Sequence, residues 1–213
     1  MKKIPRSFDW RTKYELSPVQ DQGKCSTCWA IATVTCFQDV IKISSSGKKD
    51  LTFNMKIFKE ETKTGDGNMC EGGSFIIPTF QKFLNKGCVL GNGKRYFPRK
   101  ILTLNDDEFI EEIIYRNGPI IAMMKVYLCE GEQSLYNYKK SVYGKNWWDK
   151  VNFYSCEYEL HCVVIVGWGV EDDVPYWIVR NSWGKDFGEG GYFKILRGKN
   201  FCHIEEKLFT FLI

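Results

Sequence analysis

The segment Gln22–Ala30, with the sequence QGKCSTCWA, places a cysteine where a glycine-containing loop runs into a helix. The helix is predicted over Cys28–Ile43, because apolar residues recur there at helical spacing and the turn-forming run Ser44–Gly47 follows. A thiol at a helix N-terminus lies at the positive end of the helix dipole, which favours the thiolate. Since the thiolate is the nucleophilic form of cysteine, Cys28 is predicted to be a catalytic nucleophile.

The C-x-x-C spacing of Cys25 and Cys28 also fits a redox pair or half of a zinc site. A zinc site needs a second pair of ligands, and the sequence has no other C-x-x-C and no pair of neighbouring histidines. A redox motif ordinarily follows a strand of a thioredoxin-like unit, a pattern that is absent here. We therefore favour the nucleophile and expect neither a metal nor a cofactor.

Composition excludes several classes of protein. Hydrophobic residues make up 44% and charged residues 26% of the 213 positions, which excludes intrinsic disorder. The net charge of +4 is not concentrated in any segment, so nucleic-acid binding has no electrostatic support. No apolar run reaches the roughly 18 residues of a membrane span. Nine cysteines favour an oxidising compartment, and their odd number leaves at least one unpaired.

Helical patterns fill the first half of the chain and strand patterns the second. Further helices are predicted over about 75–85 and from Asn105 to about 117. Short apolar or β-branched runs predict the strands Ile120–Val126, Cys162–Gly169, Tyr176–Arg180 and Gly191–Leu196. This order predicts an α+β fold in one domain, 1–213, with a helical subdomain over about 12–117 and a β-rich one over about 118–207.

Histidine is scarce, since only His161 and His203 are present. His161 stands at the head of the apolar run that begins at Cys162. A single histidine beside a strand is more often structural than catalytic, so its context alone favours a structural role.

Four segments, in this order along the chain, resemble the papain-like cysteine proteases. Gln22–Ala30 resembles the family's Q-G-x-C-G-S-C-W-A segment, and Cys70–Gly73 (CEGG) its C-x-G-G segment. Glu159–Val163 (ELHCV) resembles the catalytic histidine strand, and Asn181–Gly184 (NSWG) is the family's N-S-W-G motif. The resemblance spans essentially the whole chain, and its second half is most similar to cathepsins B and C. It implies a papain-like fold, with an active-site cleft between a helical left subdomain and a β-barrel-like right subdomain.

The resemblance also implies a Cys-His-Asn site. Cys28 would attack the peptide carbonyl and form a thioester acyl-enzyme, and His161 would hold the thiolate and protonate the leaving amine. Asn181 would orient the imidazole, and Trp183 would shield that hydrogen bond from water. Gln22 and the backbone N–H of Cys28 would form the oxyanion hole.

Substrate-binding residues follow from the same resemblance. Gly72 and Gly73 would leave backbone free to pair with an extended substrate. Cys162 and Lys207 would line the pocket for the side chain two residues before the scissile bond. Cathepsin B-like enzymes carry an acidic residue where Lys207 stands, so we expect poor acceptance of arginine. Lys207 pairs with Glu159, extends into solvent or faces the substrate, and each of these alternatives remains open.

Departures from the family pattern bear on activity. Ser26 replaces the usual glycine, and it would demand an unfavourable backbone angle if that glycine has positive φ. Leu160 precedes the histidine, where a small or polar residue is usual. Cys162 follows the histidine, where an alanine is usual. No His-His dipeptide exists, so the carboxydipeptidase loop of cathepsin B is in doubt and an endopeptidase is expected.

The resemblance implies a disulfide between Cys25 and Cys70 and suggests a second between Cys156 and Cys202. Cys36 is expected to be a small core residue. Cys88 and Cys129 either pair or remain free, and the sequence does not decide between these alternatives.

The expected partners are protein or peptide substrates, the protein's own propeptide and cystatin-like inhibitors, with no nucleic acid and no membrane. We expect a monomer, made as a zymogen and located in a lysosome or vacuole or outside the cell. The rival interpretation is a catalytically impaired relative that acts as a binding or scaffold module. The enzyme is favoured, because Cys28, His161, Asn181 and Gln22 are all retained.

Overall fold

A computed structural model describes residues 3–64, 70, 76–104, 109–129, 134–146 and 156–213. The helices within these ranges are α1 (Cys28–Ser44), α2 (Met55–Thr62), α3 (Ile76–Lys86) and α4 (Ile110–Asn117). The strands are β1 (Phe8–Asp9), β2 (Cys88–Val89), β3 (Arg95–Tyr96), β4 (Lys100–Leu104), β5 (Ile120–Tyr127), β6 (Val142–Tyr143), β7 (Tyr158–Glu171), β8 (Val174–Arg180), β9 (Tyr192–Leu196) and β10 (Lys207–Leu212). The predicted α+β class is confirmed.

One large mixed sheet organises the described residues. Its strand order is β4-β10-β5-β7-β8-β9-β6, with β1 paired to β7, and β2 and β3 form a separate hairpin. Neighbouring strands run antiparallel except β6 and β9, which are parallel. The long strand β7 lies in the middle of the sheet, between β5 and β8.

Both faces of β7 are buried, which explains its unbroken apolar sequence. Side chains alternate between the two faces of a strand. Val163 and Ile165 pack into one core together with Trp168 and Trp177, which are the two largest fully buried side chains of the described residues. Cys162, Val164 and Val166 pack into a second core, which lies between the sheet and α1.

Helix α1 is buried on almost every side, and a buried ion pair fixes it to the sheet. Asp39 of α1 accepts a hydrogen bond from Arg180 of β8 at 2.8 Å, and the side chains are 1% and 3% exposed. Asp39 also accepts the backbone N–H of Ser17. The helix that begins at Cys28 is thus attached both to the sheet and to the N-terminal segment.

Several elements differ from the sequence-based expectations. Helix α2 was not predicted, although Asn54 caps it by accepting the N–H of Ile57. Strands β4 and β10 were not predicted either, and they pair with each other. The third predicted helix is present as α4, but its expected N-terminal signal at Asn105 lies outside the described residues. No helix in the described ranges is long and apolar enough to cross a membrane.

Candidate active site

Cys28 is the first residue of α1, and a tight loop delivers it there. In this loop the N–H of Cys25 donates to the Gln22 carbonyl, and the N–H of Thr27 donates to the Cys25 carbonyl at 2.7 Å. Thr27 is the N-cap residue, and Cys28 is 9% exposed. Ser26 is not among the residues with positive φ, so its side chain imposes no left-handed strain on the loop.

His161 lies on β7, within hydrogen-bonding reach of both Cys28 and Asn181. Its Nε2 is 2.7 Å from Asn181 Oδ1. The backbone N–H of Ser182 donates to the same Oδ1, so this atom is an acceptor and Nε2 carries a proton. The other ring nitrogen, Nδ1, is left for the hydrogen bond with Cys28.

The surroundings favour an ion pair between Cys28 and His161. A hydrogen bond from Cys162 is the largest influence on the pKa of Cys28, which also senses His161 and lies well below the ordinary thiol value despite burial. Burial alone lowers the pKa of His161, but its hydrogen bond to Cys28, the charge on Cys28 and the bond to Asn181 raise it overall. A thiolate and an imidazolium thus stabilise each other.

Gln22 is held rigidly beside this pair. Its Oε1 accepts the Ser182 hydroxyl at 2.6 Å, and its Nε2 donates to the Cys25 carbonyl at 2.9 Å. A primary amide has two N–H groups, so one remains for a further acceptor. The first N–H groups of a helix also lack acceptors within the helix, and the N–H of Cys28 belongs to this set.

Trp183 covers one side of the histidine. Its ring stacks on His161 with the centroids 5.0 Å apart and on Tyr136 with the centroids 4.6 Å apart. Trp183, Tyr136, Gln22 and Glu159 are among the residues that line a cavity of about 520 Å³. Glu159 accepts a hydrogen bond from Tyr136 Oη at 3.2 Å. Among the ion pairs formed by the described residues, none joins Glu159 to Lys207.

A row of paired residues runs across the sheet from β10 through β5 to β7. Lys207 of β10 is the register partner of Met123 on β5, and Met123 is the partner of Cys162 on β7. Residues paired in this way project from the same face of a sheet. Cys162 and Met123 pack in the core that contains Cys28, while Lys207 is exposed. Gly72 and Gly73 lie outside the described residues.

The disulfides correct one sequence-based expectation. Cys25 is bonded to Cys70, so it does not form a redox or zinc pair with Cys28. The expected pair of Cys156 and Cys202 is wrong, because Cys156 is bonded to Cys129 and Cys202 is free and buried. The register that pairs Tyr127 of β5 with Tyr158 of β7 also places position 129 opposite position 156, which explains the observed bond.

The remaining cysteines are free and buried. These are Cys28, Cys36, Cys88, Cys162 and Cys202. Cys36 donates to the Pro119 carbonyl, and burial raises its pKa, as expected of a core thiol. Cys88, whose pairing the sequence left open, is also a core residue with a raised pKa caused by burial.

Three site residues were missed by sequence reasoning. Ser182 anchors Gln22, and its position inside the N-S-W-G motif was the available signal. Met123 completes the row between Cys162 and Lys207, and only the strand register reveals it. Tyr136 stacks on Trp183 from a segment with no motif, so no sequence signal existed for it.

The family model described as "Papain family cysteine protease" matches residues 4–101 and 95–212. Cathepsin B-like cysteine proteinase 1 of Ostertagia ostertagi is 28% identical over 260 residues, covering 96% of this chain and 72% of that protein. Pro-cathepsin H of Mus musculus is 32% identical over 224 residues, covering 93% of this chain and 62% of that protein. A viral cathepsin of Heliothis zea nuclear polyhedrosis virus is 27% identical, and the chain spans 54% of its length.

Solved structures show the same fold. ProCathepsin B S9 from Trypanosoma congolense aligns with a TM-score of 0.81 and 24% identity, covering 99% of this chain and 78% of that one. Digestive procathepsin L2 from Tenebrio molitor aligns with a TM-score of 0.79 and 24% identity, covering 99% and 69%. Because the family model matches nearly the whole length of this chain, the chain belongs to the papain family of cysteine proteases.

Proposed function

We propose that this chain is a cysteine endopeptidase that cleaves peptide bonds through a thioester acyl-enzyme. The observation that carries the proposal is the series Cys28, His161 and Asn181, in which Cys28 and His161 act on each other's pKa and His161 Nε2 lies 2.7 Å from Asn181 Oδ1. In that series the nucleophile has a lowered pKa and the imidazole a raised one. A thiolate beside an imidazolium supplies both the attacking group and the proton needed by the leaving group.

In acylation, the Cys28 thiolate attacks the carbonyl carbon of the scissile bond. Negative charge develops on the carbonyl oxygen, where the free N–H of the Gln22 amide and the N–H of Cys28 donate to it. His161 then gives its Nδ1 proton to the amide nitrogen. The C–N bond breaks, the amine leaves, and the acyl group remains on sulfur as a thioester.

In deacylation, the neutral His161 accepts a proton from water as that water attacks the thioester. The C–S bond breaks, the carboxylic acid leaves, and the thiolate–imidazolium pair is restored. Throughout the cycle, Asn181 keeps the ring in one orientation through its 2.7 Å contact with Nε2. Trp183 stacks on the ring and limits the access of water to this hydrogen bond.

We infer the specificity from the row formed by Lys207, Met123 and Cys162, which are register partners across β10, β5 and β7. An apolar side chain two residues before the scissile bond would pack on Met123 and Cys162. A basic side chain would meet the positive charge of Lys207. Among the ion pairs of the described residues none joins Glu159 to Lys207, so Glu159 does not neutralise that lysine. The pocket should accept leucine, valine or acidic residues better than arginine.

The remaining expectations about context belong to the same proposal. Similar proteins bear the names procathepsin and pro-cathepsin, which supports synthesis of this domain as a zymogen with an inhibitory propeptide. Cystatin-like inhibitors, a monomeric state, and a lysosomal, vacuolar or extracellular location follow from family membership. We also propose that the two subdomains meet near residue 118, between α4 and β5.

The test compares Cys28→Ala with Cys36→Ala, because both residues are buried thiols on α1. Hydrolysis of a fluorogenic peptide with leucine two residues before the scissile bond is expected to vanish in Cys28→Ala and to persist in Cys36→Ala. Circular dichroism should show both variants folded. An active Cys28→Ala variant would refute the nucleophile, and a folded but inactive unmodified chain would favour the scaffold interpretation.

A further inference from the structure

Asn181 also lines a small cavity, which is separate from the larger cavity beside Trp183. Its volume is about 10 Å³, which is about the room that one water molecule needs. The walls come from α1, from β7, from the end of β8 and from the segment that precedes the loop of Cys25. Apart from Pro18 and Gln20, the lining residues are buried.

Two unpaired hydrogen-bond donors belong to residues of this cavity. Among the described residues, five buried side-chain nitrogen or oxygen atoms have no hydrogen-bonding partner, and two of them are Arg180 Nη2 and Asn181 Nδ2. Both atoms carry N–H groups, and both side chains line the cavity. Arg180 and Asn181 are 3% and 2% exposed. Because a buried donor without an acceptor is costly, these two atoms point to an acceptor within the cavity.

The other polar atoms of these two side chains are already paired. Arg180 Nη1 donates to Asp39 Oδ2 at 2.8 Å. Asn181 Oδ1 accepts the backbone N–H of Ser182 at 2.8 Å and lies 2.7 Å from His161 Nε2. Neither side chain can turn its free N–H group toward a distant acceptor without breaking these contacts.

Thr35 of α1 gives the same cavity a hydrogen-bond acceptor. Its hydroxyl donates to the Ile31 carbonyl at 2.7 Å, which leaves the lone pairs of the oxygen for another donor. A site with two donors and one acceptor matches water, which both accepts and donates hydrogen bonds. An anion fits less well, because Asp39 already balances the charge of Arg180.

We propose that this cavity binds one water molecule, which accepts the N–H groups of Arg180 and Asn181 and donates to the Thr35 hydroxyl. Three hydrogen bonds are the usual number for a buried water. The water joins Asn181 to the buried ion pair of Arg180 and Asp39. Arg180 and Thr35 are thereby positioning residues, because they hold the Asn181 amide with its Oδ1 toward His161. The effect on turnover rests on the proposed function, whereas the water site itself does not.

The direct test is a crystal structure of this chain at a resolution that shows ordered water. We expect one water molecule at about 2.7–3.2 Å from each of Arg180 Nη2, Asn181 Nδ2 and Thr35 Oγ1. A cavity without electron density, or one that holds chloride identified by its anomalous scattering, would overturn the proposal. A water that contacts only one of the two nitrogen atoms would overturn it as well.

Thr35→Val and Thr33→Val form a matched pair of variants for the positioning role. Each threonine is buried on α1 and donates its hydroxyl to the carbonyl four residues earlier, but of the two only Thr35 lines the cavity. Valine has nearly the shape of threonine, so the loss of the hydroxyl is the main change. Thr35→Val should lose the water and lower kcat about fivefold with KM unchanged, as expected for one hydrogen bond. Thr33→Val should keep the water and the kcat, and an equal kcat in both variants would refute the positioning role.

Ala32 allows a second pair of variants, because it also lines the cavity. Ala32→Val fills the space with methyl groups and should repeat the loss seen in Thr35→Val. Ala32→Ser places a hydroxyl there, which can accept from the same two donors and should preserve most of the kcat. A folded Ala32→Val variant that lacks the water but keeps full kcat would refute the positioning role.

A spectroscopic measurement separates this inference from the proposed function, because it needs no turnover. In a chain labelled with ¹⁵N only at histidine, the signals come from His161 and His203. The Nε2–H of His161 should exchange with solvent about fivefold faster in Thr35→Val than in Thr33→Val, while His203 should be the same in both. The water and this difference in a chain without peptide hydrolysis would support the site and refute the peptidase. Peptide hydrolysis by a chain whose cavity holds no water would support the peptidase and refute the site.

Discussion

Reversing the charge of Lys207 should change which side chain the pocket prefers. Lys207 is exposed at the end of β10 and is the register partner of Met123, so its ammonium group would face a long side chain bound over the row. Lys207→Glu replaces a repulsion with an attraction for an arginine two residues before the scissile bond. The change leaves the apolar surfaces of Met123 and Cys162 in place.

The exposure of Lys207 sets the size of the effect. Exposed charge pairs contribute about 1 kcal/mol or less, because water and salt screen them. Removing a repulsion of about 1 kcal/mol and adding a similar attraction amounts to about 2 kcal/mol in transition-state binding. That corresponds to a gain of about 30-fold in the ratio of kcat/KM for arginine over leucine. Since the interaction is screened, the gain should shrink as salt is added.

The assay compares fluorogenic peptides that differ only in arginine or leucine at this position, at low and high salt. Lys100→Glu is the matched control, because Lys100 is also exposed but pairs with Leu212 at the far end of β10. It makes the same change in net charge and should not alter the preference. Efficient cleavage of the arginine peptide by the unmodified chain, or an equal gain in both variants, would refute the assignment of Lys207 to the pocket.

Three other outcomes follow from the site and its support. Peptide hydrolysis should depend on pH as a bell. Activity is lost as falling pH protonates the Cys28 thiolate, whose pKa is lowered by Cys162 and by His161. It is also lost as rising pH removes the His161 proton, whose pKa is raised despite burial by Cys28 and Asn181. A flat profile would contradict the ion pair. Gln22→Ala should lower kcat by about 10²–10³-fold with little change in KM, since the substitution removes one oxyanion donor. Steady-state kinetics would measure this loss, and an unchanged kcat would exclude Gln22 as an oxyanion donor. Asp39→Asn should lower the free energy of unfolding, measured in urea titrations, by about 3–5 kcal/mol, because it leaves the buried guanidinium of Arg180 unpaired. Asp50→Asn, which removes a more exposed ion pair with Lys42, should lower it by less than about 1 kcal/mol.

Local signals predicted the helix and the strand that hold Cys28 and His161. Helix α1 was expected over Cys28–Ile43 and runs over Cys28–Ser44, because its periodicity, loop and terminal residues all point to the same boundaries. The apolar run from Cys162 predicted the central strand β7, although the strand begins earlier, at Tyr158. The polar residues at its start interrupt the apolar pattern, yet they pair with β5.

Features set by contacts distant in sequence were not predictable in the same way. The bond between Cys129 and Cys156 depends on the register of β5 and β7, which no local pattern specifies. The buried pair of Asp39 and Arg180 joins residues 141 positions apart.

The most direct test of the account is to titrate the chain with an epoxide inhibitor that requires a thiolate, following peptide hydrolysis and the mass of the protein together. We predict one inhibitor molecule per chain, attached to Cys28, with hydrolysis lost in proportion to labelling. Labelling should be absent in Cys28→Ala, although Cys162 remains beside that position. Loss of hydrolysis without modification of Cys28, or hydrolysis that persists after Cys28 is fully labelled, would contradict the account.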